Sequence, residues 1–326
     1  MKKSSLQYLD SLNKAQDLEA FKNAFHRFLV QNEKEAINYL NDKRLYFPTL
    51  FFVCSELETL GTKSKLNNRN RIALDLCNVI NEQKGLKEIN KKYGAQKVHE
   101  TLNWMFDTGV YADSLSDKYD NIIDGTVGLL ICSFKDFSIL PSAITLMFRR
   151  YERDYLIHDL AWYIFQSKDP CIMPLIANYL QSQNQKSIQL ASKLLHSNTD
   201  LNDININQEE QRADVKKSIE DNLPYIYFTG ESLQLSSEPN TYEIQLEGKY
   251  LNKKVSHDTG KLLKPLKKFE QAKLEEFRQK DMEEKKQLSN YSCKLRERDS
   301  LLWRKWIKKD LSTQLVILQN DLEEEL

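Results

Sequence analysis

A helical pair written twice between residues 140 and 196 constrains this chain more than any other feature. Leu140-Pro141 opens a run with apolar residues at Ile144, Met147, Phe148 and Tyr151, and a second run follows at Leu156, Leu160, Ala161 and Ile164. Met173-Pro174 then opens Leu175, Ile176, Tyr179 and Leu180, and Ile188, Ala191, Leu194 and Leu195 close the second copy. Steps of three and four put such residues on one face of a helix. Pro141 and Pro174 suit a first turn, where the N–H that proline lacks would have no intrahelical partner. The prolines are 33 residues apart and the alanines Ala161 and Ala191 are 30 apart, which fits a longer link inside the first copy. A helical pair at that period is the signature of a stacked repeat, because one pair cannot cover its own apolar face.

The residues before 140 read as helices of less regular length. Leu18, Phe21, Phe25, Phe28 and Leu29 form an aromatic stripe at core spacing, and Ala36, Ile37 and Leu40 a shorter one. Residues 47–60 pair with 71–80, and 98–106 with 122–134, for about five helical pairs up to His196. Proline at the start of a first helix, alanine on the inner face of a second and a short polar link resemble the HEAT-type α-solenoid repeat. The Asp169-Pro170 corner is similar to that family's turns. The resemblance is clear over 140–196 and extends over roughly the first 200 residues. It implies an all-α solenoid and an interaction scaffold, with some relatives binding DNA. It implies no catalytic residue, because the shared pattern is one of packing.

Composition agrees with helices. Only 9 Gly and 7 Pro in 326 residues disfavour an all-β chain, which needs many tight turns. The 47 basic side chains balance 47 acidic ones, so no global field recruits nucleic acid or membrane. Met1-Lys2-Lys3 is followed by no apolar core of a signal peptide, and no window reaches the roughly 18 apolar residues of a membrane span. Cys54, Cys77, Cys132, Cys171 and Cys293 are odd in number and scattered, as suits reduced cysteines in a cytoplasmic protein.

Past the repeats the character changes. Residues 198–222 are polar and charged and predict a linker after a helical domain over 1–197. Residues 223–256 predict a small β section. Tyr225-Ile226-Tyr227-Phe228 favours a strand, Leu233 with Leu235 and Tyr242 with Ile244 and Leu246 alternate, and Leu246, Tyr250 and Leu251 also fit a helix. Residues 257–326 predict a long helical arm with coiled-coil-like spacing, its stripe interrupted over 278–287.

Several catalytic patterns fail. Gly260-Lys261 lacks both the earlier glycine of a phosphate loop, since position 255 is Val255, and the following Ser or Thr, since Leu262 stands there. The five histidines show no His-Glu-x-x-His spacing, so neither a metal nor any other cofactor is expected. Asp120 and Asp124 share a helix face but suit a solvated helix start.

Two stretches carry functional content. Lys249, Lys253, Lys254, Lys261, Lys264, Lys267, Lys268 and Lys273 are opposed within 249–273 only by Asp258 and Glu270. Such a patch contacts phosphates or an acidic partner, unless it pairs with the acidic residues of 198–222. Trp303, Trp306 and Ile307 share one helical turn in a basic frame, an apolar face that must dock on the solenoid, a second copy or a partner. The expectation is therefore a non-enzymatic, cytoplasmic scaffold or adaptor for a protein partner, or for a second copy of itself. Its alternative is a nucleic-acid-binding protein using the basic segment.

Overall fold

The computed structural model describes Gln7, Leu9 and residues 18–113, 116–196 and 207–324. It is mainly helical, with one two-stranded sheet among the described residues. Two compact units, Met1–Ile139 and Leu140–Leu326, make up the chain. No helix among the described residues is long and apolar enough to cross a membrane.

The first unit is built from α1 (Leu18–Gln31), α2 (Glu33–Leu40), α3 (Phe47–Phe52), α4 (Cys54–Thr59), α5 (Asn68–Glu82), α6 (Leu86–Tyr93), α7 (Ala95–Gly109) and α8 (Asp117–Gly128). The aromatic stripe of α1 is core: Phe21 and Phe25 are fully buried, with ring centroids 5.9 Å apart. Residues 47–60 form two short helices, since Val53 interrupts the run. Helix α6 has no counterpart among the helices expected from the sequence; it is two turns long, with Leu86, Ile89 and Tyr93 half-buried on one face. Asn67 and Ser116 begin α5 and α8 by accepting hydrogen bonds from the backbone N–H groups of Asn70 and Tyr119, as capping chemistry requires. Asp120 lies in the first turn of α8, a position that the helix dipole favours.

The second unit opens with the two pairs read from the sequence. They are α9 (Leu140–Glu152) with α10 (His158–Gln166), and α11 (Ile172–Ala177), extended by a 3-10 turn over Asn178–Gln181, with α12 (Gln185–Leu194). Ala161 and Ala191 are both buried. The copies meet through their first helices: Phe148 and Tyr179 stack with centroids 3.6 Å apart, and the Tyr179 hydroxyl donates to Thr145 Oγ1 at 3.2 Å.

The sequence put a domain boundary after residue 197, but 140–196 belongs to the same compact unit as everything that follows. Of the proposed linker, 198–206 lies outside the described residues, and the remainder is helix α13 (Asn207–Asn222). That helix lies against α11, and Lys216 Nζ donates to Asn178 Oδ1 at 2.9 Å. Its charge made it resemble a linker; one apolar face of modest width, with Ile219 buried, suffices to hold it.

The β section is smaller than read. β1 (Ile226–Phe228) pairs antiparallel with β2 (Tyr242–Ile244), while Leu233 and Leu235 lie in turns. The Phe165 and Phe228 rings meet edge-on at 6.2 Å, and the Tyr242 hydroxyl donates to the Leu195 carbonyl at 2.8 Å, so the sheet leans on the repeats.

The C-terminal residues form no extended arm. α14 (Leu246–Leu251), α15 (Lys268–Arg278), α16 (Met282–Arg298), α17 (Ser300–Trp306) and α18 (Leu311–Glu324) close around Tyr250, Leu274, Phe277, Leu288, Leu295 and Trp306. The interruption of the stripe near residue 280 is a turn, and Asp281 caps α16 by accepting from the Glu284 N–H at 2.8 Å. A chain that turns four times can cover its own apolar face; a single long helix cannot.

Candidate functional site

The lysine-rich segment is built on a hairpin. Ser256 N–H donates to the Lys261 carbonyl at 2.8 Å and Leu263 N–H to that of Lys254 at 3.0 Å, closing a ladder with Val255 opposite Leu262. Gly260 makes the turn at φ +68, its α-carbon against the Tyr227 ring, where an added Cβ would lie 3.1 Å from ring atoms. The Gly-Lys pair is therefore a turn against an aromatic wall. Gly248 lets this hairpin come close, for a Cβ there would meet the Lys253 carbonyl at 2.7 Å. The hairpin is joined to β1 by Phe228 N–H donating to the His257 carbonyl at 2.8 Å, and Lys168 pairs with Asp258 at its tip.

The eight lysines separate into two kinds. Lys249 is buried, and Lys253 pairs with Glu270 at 3.1 Å, both side chains nearly covered. Lys273 pairs with Glu276 one turn on. Lys254, Lys261, Lys264, Lys267 and Lys268 are exposed and form no ion pair among the described residues. None of the five pairs with Asp214, Glu220 or Asp221 of α13 among the described residues. Lys261 and Lys264 also line an open cleft of about 520 Å³, with Tyr227, Leu262 and the Arg278–Glu247 pair. Leu263 and Phe269, 62% and 43% exposed, stand among the lysines.

The tryptophan face is not available for docking. Trp306 and Ile307 are buried, with Trp306 against the rings of Tyr250 and Tyr291, at 6.1 and 5.3 Å. Trp303 is half-buried, and its Nε1 donates to Ser292 Oγ at 2.8 Å. The sequence placed all three on one apolar surface, which is correct; α14, α15 and α16 supply the cover within the unit.

A larger cleft, of about 830 Å³, opens between α13, α14, α16 and α18. Lys249 and Asn290 face each other in its lining, the Lys249 ammonium donating to Asn290 Oδ1 at 2.5 Å. Burial holds the Lys249 amine below the ordinary lysine value, although Cys293, Asp221 and Glu297 nearby pull the other way. Burial likewise pushes the Cys293 thiol up. Sequence reasoning counted Lys249 with the exposed lysines; nothing in its local pattern distinguishes it. Among the described residues no cluster of three His, Cys, Asp or Glu side chains could hold a metal ion. Compared with known proteins, the chain matches no family model, no curated sequence and no solved structure.

Proposed function

We propose that this chain is a non-enzymatic interaction protein whose helical pairs form a HEAT-like array, and that the hairpin segment 254–268 holds an acidic protein partner. The supporting observation is the set of five exposed lysines, each without an ion-pair partner among the described residues, around the exposed apolar side chains Leu263 and Phe269. An acidic amphipathic segment complements both the charges and the apolar pair. The set contains no arginine, the residue that recognises phosphate by a bidentate fork, and this favours carboxylates over a phosphate backbone. The five cysteines, all free, suit the reducing cytoplasm.

Nucleic acid is the second reading, favoured by Phe269 alone, whose exposed ring beside Lys267 and Lys268 would stack on a base. Fluorescence anisotropy with an acidic amphipathic peptide and with a short single-stranded DNA, each titrated with salt, separates the two. The expected result is tighter peptide binding, lost when Lys254, Lys261, Lys264, Lys267 and Lys268 are changed together to Gln. Tighter DNA binding with a steep logarithmic salt slope replaces the protein partner by nucleic acid. Binding to neither probe rejects the segment as a contact surface.

A further inference from the structure

The cleft of about 830 Å³ in the second unit is of the size that holds small ligands. Its lining contains as many carboxylates as basic groups, so it favours neither a polyanion nor a polycation. Lys249 is the group that the fold itself leaves unexplained. It is 7% exposed, and its ammonium has three N–H groups but one hydrogen-bond acceptor among the described residues, Asn290 Oδ1. A buried charge without an ion pair is costly, and an apolar side chain there would serve packing better. Asn222, 3% exposed and in the same lining, holds its Oδ1 buried with no hydrogen-bond partner, while its Nδ2 donates to the Ser218 carbonyl at 2.6 Å. Asp221 and Glu297 stand exposed in the lining, with Leu295 and Leu318 as its apolar part.

We propose that this cleft binds a small zwitterion of the amino-acid type, its carboxylate on the Lys249 ammonium and its own ammonium facing Asp221 and Glu297. A phosphate-bearing ligand would meet the carboxylates of the lining, and a polyamine would meet Lys249. A zwitterion satisfies both signs at once and supplies Lys249 with the charge-assisted partner it lacks.

Calorimetry and thermal shift on the full chain test this, with the protein amino acids as a panel and inorganic phosphate and spermidine as charge controls. One amino acid, or one chemical subset, is expected to bind saturably at one site and raise the unfolding midpoint. Lys249→Met and Asp221→Asn are each expected to weaken that binding by roughly tenfold or more, and Lys193→Met, exposed and outside the cleft, to leave it unchanged. Without ligand, Lys249→Met is expected to unfold at an equal or higher temperature than the parent, which a purely structural lysine would not allow. Should it fail to fold, that expectation is overturned, and Asp221→Asn with Glu297→Gln decide the binding itself. No binding across the panel, equal binding of phosphate or spermidine, or undiminished affinity in the cleft variants overturns the proposal.

Discussion

The Tyr250 hydroxyl donates to Gln314 Oε1 across 2.8 Å, and both side chains are fully buried. Gln314 Nε2 in turn donates to the carbonyls of Ile307 and Lys309, at 3.3 and 2.9 Å. One amide thus joins α14 to the turn between α17 and α18, beside the apolar cluster that holds Leu274, Phe277 and Trp306. Burial pushes the Tyr250 phenol far above its ordinary value, so it remains a donor at every physiological pH. Tyr250→Phe removes the donor and leaves a buried amide oxygen unsatisfied. The expected loss is about 1–3 kcal/mol, measured by denaturant unfolding. An unchanged midpoint would mean that water reaches Gln314.

Lys253 and Lys254 are neighbours with opposite roles. Lys253 and Glu270 bond at 3.1 Å with side chains 12% and 11% exposed, whereas Lys254 is exposed and without an ion pair among the described residues. Glu270 also accepts from the Lys267 N–H at 2.7 Å, so it begins α15 as well. Lys253→Met leaves that carboxylate uncompensated, at a cost of about 2–4 kcal/mol. Lys254→Met carries the same change in charge and is expected to stay within about 0.5 kcal/mol of the parent. Equal effects in thermal unfolding of the two variants would contradict this division.

Ala191 is fully buried in α12, which lies against α9. Ala191→Leu adds three carbons where helices already touch, and the expected destabilisation is about 1–3 kcal/mol. A variant as stable as the parent would show spare room at this position and undo the matching of the two copies.

Asp321 sets a dependence on acid. The Tyr291 hydroxyl donates to its Oδ2 at 2.6 Å and Arg298 Nη2 at 2.9 Å, and these bonds, the tyrosine's first, hold its carboxyl below the usual 3.8. A carboxyl with a depressed folded value stabilises above its unfolded value, and the contribution is lost as pH falls through the folded one. The parent should therefore exceed Asp321→Asn in stability at pH above about 4, and the gap should close in more acid solution. The check is denaturant unfolding of both proteins across that range. A gap independent of pH would show that the carboxylate charge contributes nothing.

Much of this architecture follows from periodicity. The apolar steps at 140–196 determine two helical pairs, and the aromatic stripe of α1 determines a core face. The run Tyr225–Phe228 foretold strand β1, whereas the Leu246 to Leu251 spacing fits strand or helix and forms helix α14. Periodicity states which face of a segment is apolar, and it is silent on what covers that face. For this reason Trp306 read as a docking surface, although three helices from earlier in the chain enclose it. Charge has the same limit. Eight lysines in one stretch are alike in sequence, and only the folded chain makes Lys253 an ion-pair partner, Lys249 a buried amine and Lys254 a solvated one. The sequence alone determined the helical class and the apolar helix faces over 140–196, because those depend on neighbours along the chain. The tertiary structure decided which side chains are covered and which ammonium groups remain open to a partner, because burial depends on residues far apart in sequence.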